Sequence, residues 1–67
     1  MKYYLDFTSG DKTERIAEIT DMEKGKVIGK EKQTEYKAEG KKGIISLYEI
    51  TTERGRPMSK CHEFWEI

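Results

Sequence analysis

Cysteine, proline and long apolar runs are scarce in this sequence. There is one cysteine and one proline. A secreted domain of this size ordinarily carries several paired cysteines, so the lone Cys61 predicts a free thiol and a cytoplasmic location. The short apolar stretch Tyr3–Leu5 is followed by Asp6, which is too short for a signal peptide. No segment approaches the ~20 apolar residues that span a bilayer, so no membrane contact is expected.

Net charge is absent as well. The 67 residues include 13 basic and 13 acidic side chains. A general polyanion binder is normally basic overall, and a disordered chain normally combines low hydrophobicity with high net charge. We therefore expect one folded domain, 1–67. Its apolar content of 34% is low, which predicts a thin core and favours a homo-oligomer.

Five segments are rich in β-branched and aromatic residues, and glycine-bearing stretches separate them. These segments are Lys2–Thr8, Lys12–Thr20, Lys26–Ala38, Gly43–Thr52 and Met58–Ile67. The pattern predicts an all-β fold, a five-stranded antiparallel meander that forms a small barrel or a curled sheet. Closure of the first strand on the last would remove two exposed edges.

The turns predict registers for the hairpins. Glycine at the first position of Gly10-Asp11 favours a type II′ turn. This turn would pair Ser9 with Lys12, Thr8 with Thr13, Asp6 with Arg15, Leu5 with Ile16 and Tyr4 with Ala17. The stretches 23–25 and 53–55 each end on glycine, which is typical of a three-residue turn with a bulge. They would pair Thr20 with Ile28, Ile50 with Met58 and Leu47 with Cys61.

A helix near 12–24 is the alternative to the second strand. Asp11 and Glu14 have the spacing of a capping box, and Gly25 could end the helix. Such a helix would align Ile16, Ile19 and Met22 on one side and make the fold α+β.

The aromatic residues offer candidate contact sites. In a strand the adjacent pairs Tyr3/Tyr4 and Phe64/Trp65 point to opposite faces, so one member of each is expected to be exposed. Exposed aromatic side chains often anchor interfaces. We therefore select Tyr4, Trp65 and Tyr36 as candidate protein-binding residues; covering a second small apolar cluster is the alternative role.

Basic residues flank two of the predicted turns. In a meander the second and fourth turns lie at the same end of the sheet. This arrangement would gather Lys24, Lys26, Arg54 and Arg56 as candidate phosphate-contacting residues. Ordinary solvated hairpin ends are the alternative. The polar run 30–35 is expected to be an exposed edge that offers backbone groups to a partner strand.

No motif predicts catalysis, a metal or a cofactor. Cys61 and His62 are the only pair of metal-type ligands, whereas zinc takes about four. Neighbours in a strand point apart, so they also make a poor nucleophile pair. The stretch 40–43 lacks the strand–loop–helix context of a phosphate-binding loop. We therefore predict that the protein is not an enzyme.

Three functional hypotheses follow. The leading one is a non-enzymatic protein-interaction module, with inhibition of a partner protein as its narrower form. Small, highly charged proteins of this kind are common among phage-encoded inhibitors, which is an analogy of size and type only. The second is a small β-barrel nucleic-acid binder that uses the basic turns and exposed aromatics. The third is a module that sequesters a small ligand.

Overall fold

Four antiparallel strands and one helix make up the computed structural model, which describes residues 2–67. The elements are β1 (Tyr3–Ser9), β2 (Lys12–Ile19), α1 (Met22–Ala38), β3 (Ile44–Glu53) and β4 (Arg56–Glu66). The strands form an open sheet in the order β2-β1-β3-β4. The predicted antiparallel, β-rich fold is confirmed. The fifth strand and the closed barrel are wrong, because the chain between β2 and β3 forms a helix that packs on the sheet.

The helix replaces the predicted strand at 26–38, and it begins ten residues after the alternative helix predicted from residue 12. Met22, Gly25 and Gly29 recur at helical spacing on the side that faces the sheet. The Oδ1 atom of Asp21 accepts a hydrogen bond from the backbone N–H of Glu23 at 3.0 Å, which caps the first turn. The polar run 30–35 therefore belongs to a helix and offers no strand edge.

A glycine motif ends α1. The N–H of Gly40 donates to the carbonyl of Lys37, and the N–H of Lys41 donates to the carbonyl of Tyr36. Gly40 has a φ of 77°, a left-handed conformation that glycine adopts without strain. These two bonds form a Schellman motif, so the chain leaves the helix sharply and returns to the sheet as β3.

The first hairpin follows the predicted register over half its length. Ser9 pairs with Lys12, Thr8 with Thr13 and Asp6 with Arg15. Gly10 has a φ of 64°, as a type II′ turn requires. A bulge between Leu5 and Asp6 then shifts the register by one, so Leu5 pairs with Ala17 and Tyr4 with Glu18. The predicted pairs beyond the bulge are wrong for that reason.

The last hairpin has a tighter turn than predicted. Glu53 pairs with Arg56, so only Arg54 and Gly55 form the turn. Their φ values of 51° and 76° are both positive, as in a type I′ turn. The observed pairs are Ile50 with Ser59, Thr51 with Met58 and Leu47 with Glu63. The predicted pairs differ because of this turn and of a bulge beside Leu47 and Tyr48.

The core lies between α1 and one face of the two central strands. Its buried apolar residues are Tyr3, Leu5, Phe7, Ile45 and Leu47. Two glycines let the helix approach closely. A Cβ on Gly25 would lie 2.5 Å from Ile19 Cδ1, and a Cβ on Gly29 would collide with the ring of Trp65. The single helix described is neither long nor apolar enough to cross a membrane.

Within the described part of the chain, no helix or further strand covers two of the surfaces. The first, which we call the open face, is the side of the sheet opposite α1. It includes Tyr4, Asp6, Arg15, Ile44, Ser46, Tyr48, Cys61 and Phe64. The second, which we call the arm, is the part of the β3–β4 hairpin at 50–59. Because β1 begins at Tyr3 opposite Glu49, no third strand among residues 2–67 pairs with the arm.

Candidate functional site

Two arginines lie at the end of the arm. Arg54 and Arg56 line a depression of about 570 Å³ together with Glu53 and Met58. Across residues 2–67 neither guanidinium has an ion-pair or hydrogen-bond partner. Both groups are therefore available to a carboxylate or phosphate, which guanidinium groups bind in a two-pronged geometry.

The turn that presents these arginines has an unfavourable residue. Arg54 is the only residue other than glycine with a positive φ in the described chain. A side chain with a Cβ in this conformation costs roughly 1 kcal/mol relative to glycine. Type I′ turns favour asparagine, aspartate or glycine there. The sequence thus keeps an arginine where the turn itself favours another residue.

Apolar side chains accompany the arginines along the arm. Ile50 is 45% exposed and Met58 is 51% exposed. Ile50 pairs with Ser59 on the open-face side of the ribbon, whereas Met58 pairs with Thr51 on the other side. An isolated two-stranded hairpin is only marginally stable in water. The arm therefore offers an apolar contact on each of its sides.

The other two predicted phosphate contacts lie on the helix. Lys24 is exposed and Lys26 is half-buried in the first turns of α1, so the hairpin turn expected there is wrong. The register places Ile19, Tyr3 and Glu49 side by side, so α1 begins at the end of the sheet from which the arm projects. The phosphate role of these lysines stays a prediction.

A polar network occupies the centre of the open face. The Tyr48 hydroxyl donates to Asp6 Oδ2 at 2.7 Å and accepts from Arg15 Nη2 at 3.2 Å. Arg15 Nε lies 3.4 Å from Asp6 Oδ1, and its guanidinium carbon lies 4.3 Å above the ring centre of Tyr4. Burial, followed by the hydrogen bond to Asp6, raises the pKa of Tyr48 above 10.0.

Beside this network the open face has a hollow and a projecting ring. The hollow has a volume of about 270 Å³ and is lined by Asp6, Thr8, Ser46, Tyr48, Ser59 and Cys61. Phe64 pairs with Ser46, one of the residues that line the hollow, and it is 59% exposed. Ile44, two residues from Ser46 on the same face, is 42% exposed. The open face thus combines a cavity with adjacent apolar projections.

The three aromatic residues selected from the sequence have different positions. Tyr4 is half-buried on the open face, where its ring lies 5.6 Å from that of Tyr48. Trp65 packs beneath α1 against Gly29, and Tyr36 packs edge-on against Phe7. The exposed member of the carboxy-terminal pair is Phe64, which the sequence interpretation did not select. Protein binding by Tyr4, Trp65 and Tyr36 stays a prediction, but two of these rings already contact the core.

A buried acid–imidazole pair lies on the helix side of the sheet. His62 Nε2 is 2.7 Å from Glu49 Oε1, and the His62 ring meets the ring of Tyr3 edge-on. The second carboxylate oxygen, Glu49 Oε2, is buried without a hydrogen-bond partner in the described structure. Sequence interpretation missed this pair. The alternation of inward and outward side chains along β3 could have identified Glu49, because Glu49 continues the inward row that contains Ile45 and Leu47.

Cys61 and His62 do not meet as a reactive pair. Cys61 is a free thiol that lines the hollow on the open face, whereas His62 contacts Glu49 on the other face. Cys61 is exposed and pairs with Tyr48, so its predicted pairing with Leu47 is wrong. Within residues 2–67 no three His, Cys, Asp or Glu side chains are grouped as a metal site would require.

The arm and the open face are thus the two candidate contact surfaces, and the chain's own geometry is the basis for interpreting them. Searches for similar proteins add no family or relative, because no family model, curated protein or solved structure matches this chain.

Proposed function

We propose that this protein is a non-enzymatic interaction module that inserts its arm into an acidic cleft of a partner protein. The observation that carries the proposal is the arm itself, a ribbon with exposed Ile50 and Met58 along it. At its end lie Arg54 and Arg56, which have no ion-pair or hydrogen-bond partner among residues 2–67. Arginine together with adjoining apolar area is typical of residues that dominate binding energy at interfaces.

The conformation of Arg54 supports this assignment. Unfavourable backbone conformations cluster at functional sites, where the side chain matters more than local stability. Asparagine or glycine would satisfy the turn better, so the arginine has no advantage for folding. Contact with an external anion gives the guanidinium a role.

A protein partner fits the composition of the arm better than a nucleic acid does. Glu53 lines the same depression as the two arginines, so the end of the arm has mixed charge and lacks the continuous positive groove that follows a phosphate backbone. The chain carries no net charge, whereas nucleic-acid binders are normally basic. A carboxylate from a partner can bind Arg54 while an apolar neighbour of that carboxylate contacts Met58.

Capture experiments with matched variants test this function. The immobilised full chain is incubated with a bacterial lysate at physiological salt, and retained proteins are identified by mass spectrometry. We expect specific retention that falls about tenfold, or about 1.4 kcal/mol, with either Arg54→Asn or Met58→Ser. Val27→Ser is the control, because Val27 is 58% exposed on α1. Retention that is absent, or indifferent to both arm variants, contradicts the proposal.

A parallel titration with single-stranded oligonucleotides distinguishes the second hypothesis. Binding that weakens steeply with salt and is lost in Arg54→Asn would replace the protein partner with a nucleic acid. The narrower hypothesis of inhibition is tested on the captured protein. The activity of the captured protein should fall when the purified wild-type chain is added. It should fall less when the Arg54→Asn variant is added instead.

A further inference from the structure

We infer that the partner protein adds one of its own strands to the β3 edge of the arm, alongside residues 50–53; this step rests on the proposed function and specifies how the partner binds. Residues 44–49 of β3 pair with β1 on one side and with β4 on the other, whereas residues 50–53 pair with β4 alone. Among residues 2–67 no strand lies on the β1 side of residues 50–53, and we call this side the arm edge.

The backbone of Thr52 points towards the arm edge. Glu53 and Arg56 close the two-residue turn, so they exchange backbone hydrogen bonds. Hydrogen-bonded and non-hydrogen-bonded pairs alternate along an antiparallel hairpin, so the pair of Thr52 with Pro57 is of the second kind. The missing N–H of Pro57 fits this arrangement. The N–H and C=O of Thr52 therefore point away from β4, where an extended backbone supplies the acceptor and the donor that they need.

The two outer strands of the sheet have features that hinder strand addition, and the arm edge lacks them. β2 has charged side chains and a bulge. β4 has Pro57 and a second bulge, and Gln33 Nε2 already donates to the carbonyl of Glu66 at 2.9 Å. Charges, bulges and proline are the usual protection of an exposed edge. Residues 50–52 of the arm edge are uncharged and β-branched, which favours pairing with a strand.

The side chains of the arm edge indicate which strand fits. Ile50 and Thr52 lie on the open-face side of the ribbon, and Ile50 is 45% exposed. Cross-strand pairs of β-branched and aromatic residues are favourable. The partner segment is therefore an extended strand with such residues opposite Ile50 and Thr52, next to the carboxylate that binds Arg54.

Two matched proline variants distinguish the two edges of the arm. Thr52→Pro removes the N–H at the arm edge. Ser59→Pro removes an N–H at the β4 edge, because the pair of Ser59 with Ile50 is of the same kind as that of Pro57 with Thr52. Neither N–H belongs to the hairpin, so both variants should keep the fold. Retention of the proteins that the wild-type chain captures should fall about tenfold or more with Thr52→Pro and stay unchanged with Ser59→Pro.

Amide hydrogen exchange, followed by NMR, gives a readout that does not depend on proline. In the free wild-type chain the N–H of Thr52 should exchange faster than that of Thr51, which points to β4. In the complex with the captured protein, exchange at Thr52 should slow by at least ~10-fold.

Three results overturn the added strand and leave capture through Arg54 and Met58 standing. They are a Thr52 amide that is already protected in the free chain, retention by Thr52→Pro equal to that by the wild type, and a similar loss with both proline variants when circular dichroism shows both to be folded. If a proline variant does not fold, exchange at Thr52 in the complex decides. If the wild-type chain retains no protein, the proposed function fails and the added strand fails with it.

Discussion

Arg15 and Tyr48 are hydrogen-bonded although their strands are not neighbours in the sheet. Arg15 lies on β2 and Tyr48 on β3, and the guanidinium reaches across β1 to the hydroxyl at 3.2 Å. Asp6, on the intervening strand, bonds to both. Three of the four strands are thereby tied together on the open face, which no element among residues 2–67 covers.

The ionisation of Tyr48 should report on this network. Its pKa is raised above 10.0, mainly by burial and then by the hydrogen bond to Asp6. A raised pKa in the folded state means that the stabilising contribution is complete below the unfolded pKa. It is lost as the pH rises through the folded value. We expect the ionisation step of Tyr48 in a tyrosinate absorbance titration to lie at higher pH in the folded protein than in the unfolded chain.

The substitution Tyr48→Phe identifies this step, because the step should be missing from the titration of the variant. Stability measured by denaturant unfolding should begin to fall above pH 10 in the wild type and fall less in Tyr48→Phe. The assignment would be contradicted if the step that is lost in Tyr48→Phe lay no higher in the folded protein than in the unfolded chain.

Gly29 is expected to tolerate no side chain. In an exposed helix, alanine is more favourable than glycine by up to ~1 kcal/mol. Here the added Cβ would collide with the Trp65 ring, so Gly29→Ala should destabilise the protein by roughly 1–3 kcal/mol. Urea unfolding measures this change. Val27→Ala, at an exposed position of the same helix, should change stability by less than ~0.5 kcal/mol.

A double-mutant cycle separates collision from propensity. Trp65→Leu makes room above Gly29 but loses burial of the ring. If the collision is the cause, Gly29→Ala should be less destabilising in the Trp65→Leu background than in the wild type. Equal effects in both backgrounds would show that the two residues do not interact.

Arg54→Asn should stabilise the isolated protein while it weakens partner capture. Asparagine adopts positive φ more readily than arginine, so a gain of roughly 0.5–1 kcal/mol is expected. Thermal unfolding provides the measurement. Arg56→Asn is the matched control, because Arg56 lies in a strand without a positive φ and gains nothing. A lower stability for Arg54→Asn would mean that the arginine supports the fold.

Loss of the buried imidazole should be far more damaging than loss of a surface ion-pair partner. His62→Ala leaves the Glu49 carboxylate buried without its neighbour, which should destabilise the protein by roughly 3–5 kcal/mol. Lys2→Ala breaks the exposed pair with Glu18 and should have little measurable effect. Glu49→Gln in the His62→Ala background should recover part of the loss, since it removes the unpaired charge.

The local parts of the fold were predictable from the sequence. The turn at Gly10-Asp11 and the first pairs of its hairpin follow from turn chemistry and cross-strand chemistry. The register beyond Asp6 was not predictable, because the bulge there has no residue signature. Arg54 and Arg56 were identified as candidates from the sequence. The conformation that distinguishes Arg54 was not, because it depends on a two-residue turn where the sequence predicted a three-residue turn.

The helix was missed because two residues on its inward side have low helix propensity. Gly25 and Gly29 face the sheet, and glycine lowers helix propensity. These glycines let the backbone of α1 approach Ile19, Leu47 and Trp65. This close approach is a feature of tertiary packing, and the local sequence pattern does not predict it. Phe64 was missed for a related reason. Alternation shows that Phe64 and Trp65 point apart, but only the position of α1 decides which of them is covered.

The pairing of β1 with β3 joins two halves of the sheet, each of which is a hairpin that is continuous in sequence. One half contains β1 and β2, and the other contains β3 and β4, with Thr8 paired to Ile44 and Tyr3 paired to Glu49 across the join. When it is alone, each half exposes its own buried apolar residues, which are Tyr3, Leu5 and Phe7 in one half and Ile45 and Leu47 in the other. Residues this distant in sequence meet only after a large loss of chain entropy. The join between the hairpins is therefore the step that should limit the rate of folding, and neither half should persist without the other.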